Sequence, residues 1–310
     1  MDVYRSLAEL PPAPAGRSIA LGTFDGVHRG HRGVIEAAVE GARANGLRPA
    51  VVTFDPHPLQ VLTPGDAPQL LTTTGTKAAL VAQLGVEELL AIPFTAELSQ
   101  QTPEEFCEQV LAGALDARRV AVGENFRFGR GASGDAELLR ARKEFETVVV
   151  PLVEYGDEPV SSSRIRELVS AGDVSAAAEL LASPYRLVGD VMPGDARGRE
   201  LGMPTINLGL PPESVIPAPG IYAGRAHGDT LGANVPAAIS IGVRPTFEDA
   251  GDLRVEAYLI GFDGDLYGQT VTLEFLERLR DEVKFDSVEA LQRQMRADVE
   301  QTEKIAGSTR

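Results

Sequence analysis

Leu21-Gly22-Thr23-Phe24-Asp25-Gly26-Val27-His28-Arg29-Gly30-His31 follows a short apolar run at 17–22 and opens a segment, 30–45, with helical spacing of Val34, Ile35, Ala38 and Val39. A glycine-bearing turn between a buried strand and an amphipathic helix is the first half of a βαβ unit. Glycines at 22, 26 and 30 let the backbone turn tightly and approach a ligand closely. The two histidines stand where the helix begins, and a helix N-terminus attracts phosphate through its free N–H groups and its dipole. Two imidazoles three residues apart can there donate hydrogen bonds to a phosphoryl group gaining charge. Two of the chain's four histidines fall within these four positions, so the turn reads as a site rather than as a plain connection.

Outward from this turn the first half keeps alternating. Apolar runs at 49–54, 89–92, 120–123 and 147–152 predict strands, and helical spacing predicts helices near 77–84, 103–115, 135–144, 163–170 and 173–182. Continuous apolar strands separated by helices predict a parallel sheet covered on both faces. After Ser183-Pro184 the rhythm changes. Strand-like segments at 186–192, 204–208, 220–227, 235–241, 253–260 and 270–276 follow one another without helices, and an amphipathic helix spans 287–304. The expected fold is therefore α/β, a Rossmann-like parallel sheet, followed by a small antiparallel β-barrel with a C-terminal helix. The expected domains are 1–184 and 185–310.

Composition narrows the partners. Against 29 Lys and Arg stand 45 Asp and Glu, a formal charge of −16. A nucleic-acid polymer or an anionic membrane surface would need a basic face, so neither is expected. No apolar run approaches the ~20 residues of a membrane helix, and residues 1–10 lack the basic-then-apolar pattern of a secretory signal. A cytoplasmic protein with small-molecule partners is expected, its oligomeric state open and a homo-oligomer included. The single cysteine, Cys107, excludes an internal disulfide and reads as a core filler. The stretch 118–143 holds seven basic residues against three acidic ones, a local excess that suits a polyphosphate. Gly129-x-Gly131-x-x-Gly134 matches a dinucleotide pattern but lies far from the first βα unit, so it reads as a flexible loop.

Further segments carry chemistry. Val52-Thr53-Phe54-Asp55-Pro56-His57-Pro58 and Gly123-Glu124-Asn125-Phe126 each end an apolar run, as the turn at 22–31 does, and in an open parallel sheet ligands bind beyond such strand ends. Ser161-Ser162-Ser163-Arg164-Ile165-Arg166 offers hydroxyls and guanidiniums at a helix start, which suits a triphosphate. In the second half, Gly194–Asn207 combines a glycine-bearing loop with Pro204-Thr205-Ile206-Asn207. Thr205 and Asn207 alternate onto one strand face, so both oxygens can reach one magnesium ion.

His28-x-Gly30-His31 after a first strand resembles the nucleotidylyltransferases. With the motifs at 52–58, 123–129 and 161–166 the first half looks like the FMN adenylyltransferase module of the bacterial bifunctional riboflavin kinase/FAD synthetase family. Pro204-Thr205-x-Asn207, Pro219–Ala223, Ile241–Phe247, Val255-Glu256-Ala257-Tyr258, Asp265–Gly268 and Lys284–Ser287 make the second half look like its riboflavin kinase module. The resemblance implies a nucleotidylyltransferase-type sheet and a riboflavin kinase-type barrel. It implies that His28, His31 and Asn125 are catalytic, and that Gly22, Thr23, Phe24, Asp25, Ser162, Ser163 and Arg166 bind ATP. Pro56, His57, Pro58 and Asn125 would line the flavin pocket. In the barrel, Gly198 and Arg199 would bind ATP, Thr205 and Asn207 would hold Mg2+, and Glu256 would be the base. The chain departs from the family at Ile206, at Tyr258–Gly261 and at Ser163, each sparing the matched polar residues. The implied reactions are phosphorylation of riboflavin to FMN and adenylylation of FMN to FAD, both from ATP. The alternative is one active module beside a silent one.

Overall fold

The computed structural model describes residues 1–194, 202–243 and 253–308. Its first sheet is built from β1 (Asp2–Tyr4), β2 (Arg17–Leu21), β3 (Arg48–Asp55), β4 (Glu88–Pro93), β5 (Ala117–Gly123) and a later strand at Glu146–Val150, all parallel. Two short ribbons intervene or follow: β6 (Arg127–Phe128) pairs with β7 (Gly134–Asp135), and after β8 (Glu146–Val150) β9 (Glu154–Tyr155) pairs with β10 (Glu158–Pro159). The sheet order is β1-β4-β3-β2-β5-β8. The chain thus moves from β2 outward on one side to β3, then crosses to β5 on the other, and the strand order reverses between β2 and β5.

The apolar runs are continuous because both faces of the sheet are covered. Ile19, Leu21, Val52, Leu90, Ile92, Val120 and Val122 belong to one buried cluster. Their neighbours Ala20, Val51, Leu89, Ala91 and Ala121 belong to the other. Helix α1 (Arg29–Asn45) buries Val34, Ile35, Ala38 and Ala42, and ends at Gly46, whose φ of 64° is left-handed. Of the helices α2 (Pro58–Leu62), α3 (Thr74–Ala82), α4 (Ala96–Ser99), α5 (Pro103–Glu105) and α6 (Ala136–Ala141), α3, α5 and α6 bury further residues, while α2 and α4 bury none of their own. A π-type segment, Phe106–Ala114, continues α5 and buries Phe106, Cys107, Val110 and Leu111. The Gly129–Gly134 stretch, expected as a flexible loop, is the tight connection of the β6–β7 ribbon. A Cβ at Gly129 or Gly134 would lie 2.7 or 2.8 Å from Pro103 or Phe128 atoms, so both positions need glycine for close approach.

The chain divides into two compact units, 1–68 with 72–162 and 69–71 with 163–310. This division falls earlier than the change of rhythm at 184. Helices α7 (Ser162–Ala171) and α8 (Val174–Leu181), expected to close the first half, are largely part of the second unit. The reason is packing: Ser175 Oγ donates to the Leu276 carbonyl at 3.1 Å, and the Cα of Gly172 leaves room for the Tyr222 hydroxyl. The second unit is a closed antiparallel barrel in the order β11 (Tyr185–Met192), β12 (Thr205–Gly209), β15 (Leu253–Leu259), β14 (Gly232–Val243), β13 (Gly220–Gly228) and β16 (Thr270–Arg280). Inside and outside alternate along β15: Val255, Ala257 and Leu259 are buried, while Arg254, Glu256 and Tyr258 face outward. Helix α9 (Val288–Ser308) is tied to β16 by Arg280, whose Nη2 lies 2.7 Å from Oδ2 of the buried Asp298. Among the described residues, no helix is long and apolar enough to cross a membrane.

At the N-terminal strand ends of the sheet, Arg17 Nε lies 2.7 Å from Glu88 Oε2, and both residues are 1% exposed. Arg17 also donates to the carbonyls of Leu115 and Pro11 at 3.1 and 2.6 Å. Removing one member of such a pair strands the other charge in the interior. Glu88→Ala is expected to cost about 3–5 kcal/mol in urea unfolding. Arg48→Ala, whose side chain is 43% exposed while bonding the same carboxylate, should cost only about 1 kcal/mol or less. Equal losses would contradict this account of the pair.

Candidate active sites

The turn from β2 into α1 is strained. Phe24 and Val27 hold positive φ values of 49° and 44°, and Gly26 stands at 86°. For a bulky or β-branched residue that region is unfavourable, yet Phe24 and Val27 are buried there, at 1% and 0% exposure. The turn delivers His28 to the N-cap of α1, where its Nδ1 accepts the His31 N–H at 3.3 Å. With Nδ1 accepting, the neutral ring of His28 carries its proton on Nε2. The imidazoles of His28 and His31 stack at 3.5 Å and 17°, and Phe24 meets His31 edge-on at 5.3 Å. Both rings are thereby held in fixed orientations at the N-terminus of α1.

These rings line a cavity of about 330 Å³. Gly22, Thr23 and Phe24 line it from the β2 end, Asn125 and Arg127 from the segment after β5, and Ser161 and Ser162 from the end of the first unit. The cavity thus opens beyond the C-terminal ends of β2 and β5, where the strand order reverses, as expected for ligands of doubly wound sheets. Asp25 is buried, at 2% exposure, and its carboxylate accepts both the N–H and the hydroxyl of Thr72 at 3.0 Å. Ser162 Oγ donates to the Asp25 carbonyl at 2.9 Å. Asp25 therefore holds the turn's shape, whereas Gly22, Thr23 and Phe24 before it line the cavity.

Pro56, His57 and Pro58 form the turn at the end of β3, apart from the residues that line this cavity. The His57 side chain caps α2, accepting the Leu59 N–H at 3.2 Å, and Pro58 is the helix's first residue. Ser163 and Arg166 fall in the second unit, where Arg166 Nε donates to the Gln69 carbonyl at 2.7 Å. The local basic excess is partly offset from outside the stretch: Arg142 pairs with Glu108 and Glu144, and Arg119 with Glu146. Arg140 and Arg127 pair with Glu137 and Asp135 of the stretch itself, and Arg127 also lines the cavity.

In the barrel, the register pairs Thr205 with Tyr258 and Asn207 with Glu256 across β12 and β15, so all four side chains share the outer face. Thr205 Oγ1 lies 3.5 Å from Glu256 Oε2, and Arg254 Nη1 donates to Glu256 Oε1 at 3.2 Å. A Cβ at Gly194 would lie 1.9 Å from Asn207 Nδ2, so that glycine makes the space Asn207 occupies. Thr205 and Glu256 line a cavity of about 380 Å³ between the barrel and α9, whose walls include Ile221, Val283, Phe285 and Met295. Thr205 and Pro204 also line a second cavity of about 460 Å³ with Asp263–Tyr267. Two hard oxygen donors on one face suit magnesium, which keeps most of its shell for water and phosphate. Among the described residues, no group of three or more His, Cys, Asp or Glu could cage a metal by itself. Gly198 and Arg199 lie outside the described residues.

Burial pushes the Cys107 thiol up to about 11, against a small opposing pull from Arg142. The thiol is fully enclosed in the first unit's core. At pH 8 the native protein should resist a maleimide that labels one thiol per chain in guanidinium. Equal labelling rates in both states would contradict its role as core filler.

Family models describe the two halves. The FAD synthetase model matches residues 10–164 and the riboflavin kinase model residues 181–306. A Pseudomonas fluorescens protein named bifunctional riboflavin kinase/FMN adenylyltransferase is 35% identical over 302 residues, 96% of each chain. A Listeria monocytogenes protein of the same name is 36% identical over 290 residues, covering 92% of this chain and 90% of its own. A solved structure from Streptococcus pneumoniae, described as a macrolide-efflux protein, superposes with a TM-score of 0.85 at 32% identity over 97% of this chain and 98% of its own. With both models matched in order and relatives similar over nearly the whole length, the chain belongs to the bifunctional riboflavin kinase/FMN adenylyltransferase family.

Proposed function

We propose that this chain phosphorylates riboflavin to FMN in residues 185–310 and adenylylates FMN to FAD in residues 1–184, using ATP for both. The observation that carries the reading is the presence of two separate sites with opposite chemical equipment. The barrel site offers a carboxylate, Glu256, beside two neutral oxygen donors. The sheet site offers stacked imidazoles at a helix N-terminus and no carboxylate on its cavity wall.

This difference follows the nucleophiles. The terminal ribityl hydroxyl of riboflavin must lose a proton to attack the γ-phosphate, and Glu256 is placed to accept it while Arg254 and Thr205 orient its two oxygens. A new oxygen–phosphorus bond forms as the bond from the γ-phosphorus to ADP breaks. Thr205 and Asn207 would hold Mg2+, which neutralises charge on the transferring phosphate. The apolar wall of Ile221, Val283, Phe285 and Met295 suits an isoalloxazine ring.

In the second reaction the FMN phosphate is already anionic and needs no base. Its oxygen attacks the α-phosphorus of ATP as the bond to pyrophosphate breaks. His28, His31 and the first amides of α1 stabilise the negative charge of the crowded phosphorus. Thr23, Phe24 and Ser162 position the nucleotide, with Asn125 and the Pro56–Pro58 turn on the flavin side. By the family resemblance, Ser163 and Arg166 are assigned to this ATP, and Gly198 and Arg199 to the ATP of the barrel. The −16 charge is no obstacle to nucleotide binding, because fields are screened over ~8 Å at physiological ionic strength and nearby groups dominate. The same charge supports small molecules rather than nucleic acid as partners, and ATP dependence supports work in the cytoplasm.

Incubation with riboflavin, ATP and Mg2+ followed by flavin chromatography tests the reading. FMN then FAD should accumulate; FMN without FAD overturns the adenylyl assignment, and no FMN overturns the kinase assignment. Glu256→Ala should lower FMN formation by about 10²–10⁴-fold and leave FMN-to-FAD conversion intact. His31→Ala should do the reverse, with a loss of about 10²–10³-fold in FAD formation. A variant that loses both activities together contradicts separate sites.

A further inference from the structure

Thr72-Thr73-Thr74-Gly75-Thr76-Lys77 has no part in the assignments above, yet three of its side chains reach the two turns that end β2 and β3. Thr72 Oγ1 donates to Asp25 Oδ1 and accepts the Gly26 N–H, both at 3.0 Å. Thr74 Oγ1 donates to Asp55 Oδ2 at 2.7 Å, immediately before the Pro56–Pro58 turn. Lys77 Nζ donates to the Thr23 carbonyl at 2.6 Å and to Thr53 Oγ1 at 3.2 Å. Thr53 Oγ1 in turn donates to the same Thr23 carbonyl at 2.9 Å. Thr73 caps α3, its hydroxyl accepting the Thr76 N–H at 3.1 Å and lying 2.9 Å from the Thr76 hydroxyl. The helix start is therefore fixed, and Lys77, one turn along, is aimed at the same strand ends as Thr72 and Thr74.

Lys77 is 7% exposed. Lysine is rarely buried unless its charge is compensated. Burial pulls its pKa below the usual lysine range, and the carboxylates of Asp25 and Asp55 act against that pull. One carboxylate belongs to the ATP-side turn and the other precedes the flavin-side turn. The ammonium thus stands where the two turns must be held together, in a place where a methionine or leucine would fill the same space.

We propose that Lys77, with Thr72 and Thr74, is a positioning device that fixes the spacing between the 22–31 turn and the 55–58 turn, and so the alignment of the FMN phosphate with the α-phosphate of ATP. The proposal rests on the assignment of adenylyl transfer to the first unit. Lys77 acts through Thr23 and Thr53 and touches neither substrate. Its effect is large because in-line attack is intolerant of displacement, a shift of about 1 Å costing about 10²-fold in rate.

The test uses the full-length chain, with riboflavin phosphorylation as an internal control. Lys77→Met keeps the length and most of the volume, and the Thr23 carbonyl retains its bond from Thr53. Its kcat for FMN-to-FAD conversion should fall by about 10²-fold, while the riboflavin-to-FMN rate matches wild type. Thr72→Val, which loses two hydrogen bonds, should raise the KM for ATP, and Thr74→Val, which loses one, the KM for FMN, each by at least about 5–10-fold. Wild-type kcat in Lys77→Met, or a parallel fall in both activities, overturns the proposal. If Lys77→Met does not fold, unchanged or indiscriminate KM values in the two threonine variants overturn it equally. Wild-type protein that makes no FAD from FMN refutes the underlying assignment, a result distinct from an active wild type with an unimpaired Lys77→Met.

Discussion

The backbone of the 22–31 turn is the constraint on which the first site depends. Phe24 and Val27 occupy a left-handed region that costs about 1–2 kcal/mol per residue outside glycine. Such a turn persists only where its surroundings leave it no alternative. Here the Asp25 carboxylate is held by Thr72, its carbonyl by Ser162, and the Thr23 carbonyl by Thr53 and Lys77. The strain has a geometric result. It brings His28 to the cap of α1 and stacks it on His31, so two imidazoles and a helix N-terminus converge on one cavity.

The barrel reaches its site by other means. Strands β12 and β15 hold no left-handed residue; their antiparallel register sets Asn207 opposite Glu256 and Thr205 opposite Tyr258. The interior of the barrel is filled by alternate residues, so the reactive ones face outward toward a cavity covered by α9. That helix is held by the ion pair between Arg280 and the buried Asp298, which also stands on the cavity wall. One site is thus set by turn strain and the other by sheet register. An alcohol nucleophile needs a base and a phosphate nucleophile does not, and each unit carries the matching side chains.

Much of this was legible in the sequence, and what was missed has a common cause. Apolar runs gave the sheet because its strands are covered on both sides, and alternation gave the barrel. Strand β1, three residues at the sheet edge with Asp2 and Val3 exposed, lacks a buried run to betray it. Helices α7 and α8 show the periodicity of a buried face, but periodicity does not say which unit buries it. The residues bearing on the cavity at 22–31, 125 and 161–162 were found through their positions at strand ends and a helix start. The partners that hold them were not. Thr72 lies 47 residues from Asp25, and Lys77 lies 54 from Thr23. The sole signal for Lys77 was a cation set among apolar residues on α3. The partner of Arg142 in the basic stretch was hidden for the same reason, since Glu108 neutralises it from 34 residues away.

The central claim is that one chain adds two different parts of ATP to one flavin, at two sites. Tracing label from ATP into FAD tests it most directly. With riboflavin and Mg2+ supplied, phosphorus label from the γ-position should appear in FMN and persist in FAD, while label from the α-position should appear in FAD alone. FAD free of γ-label, or FMN carrying α-label, would contradict the account.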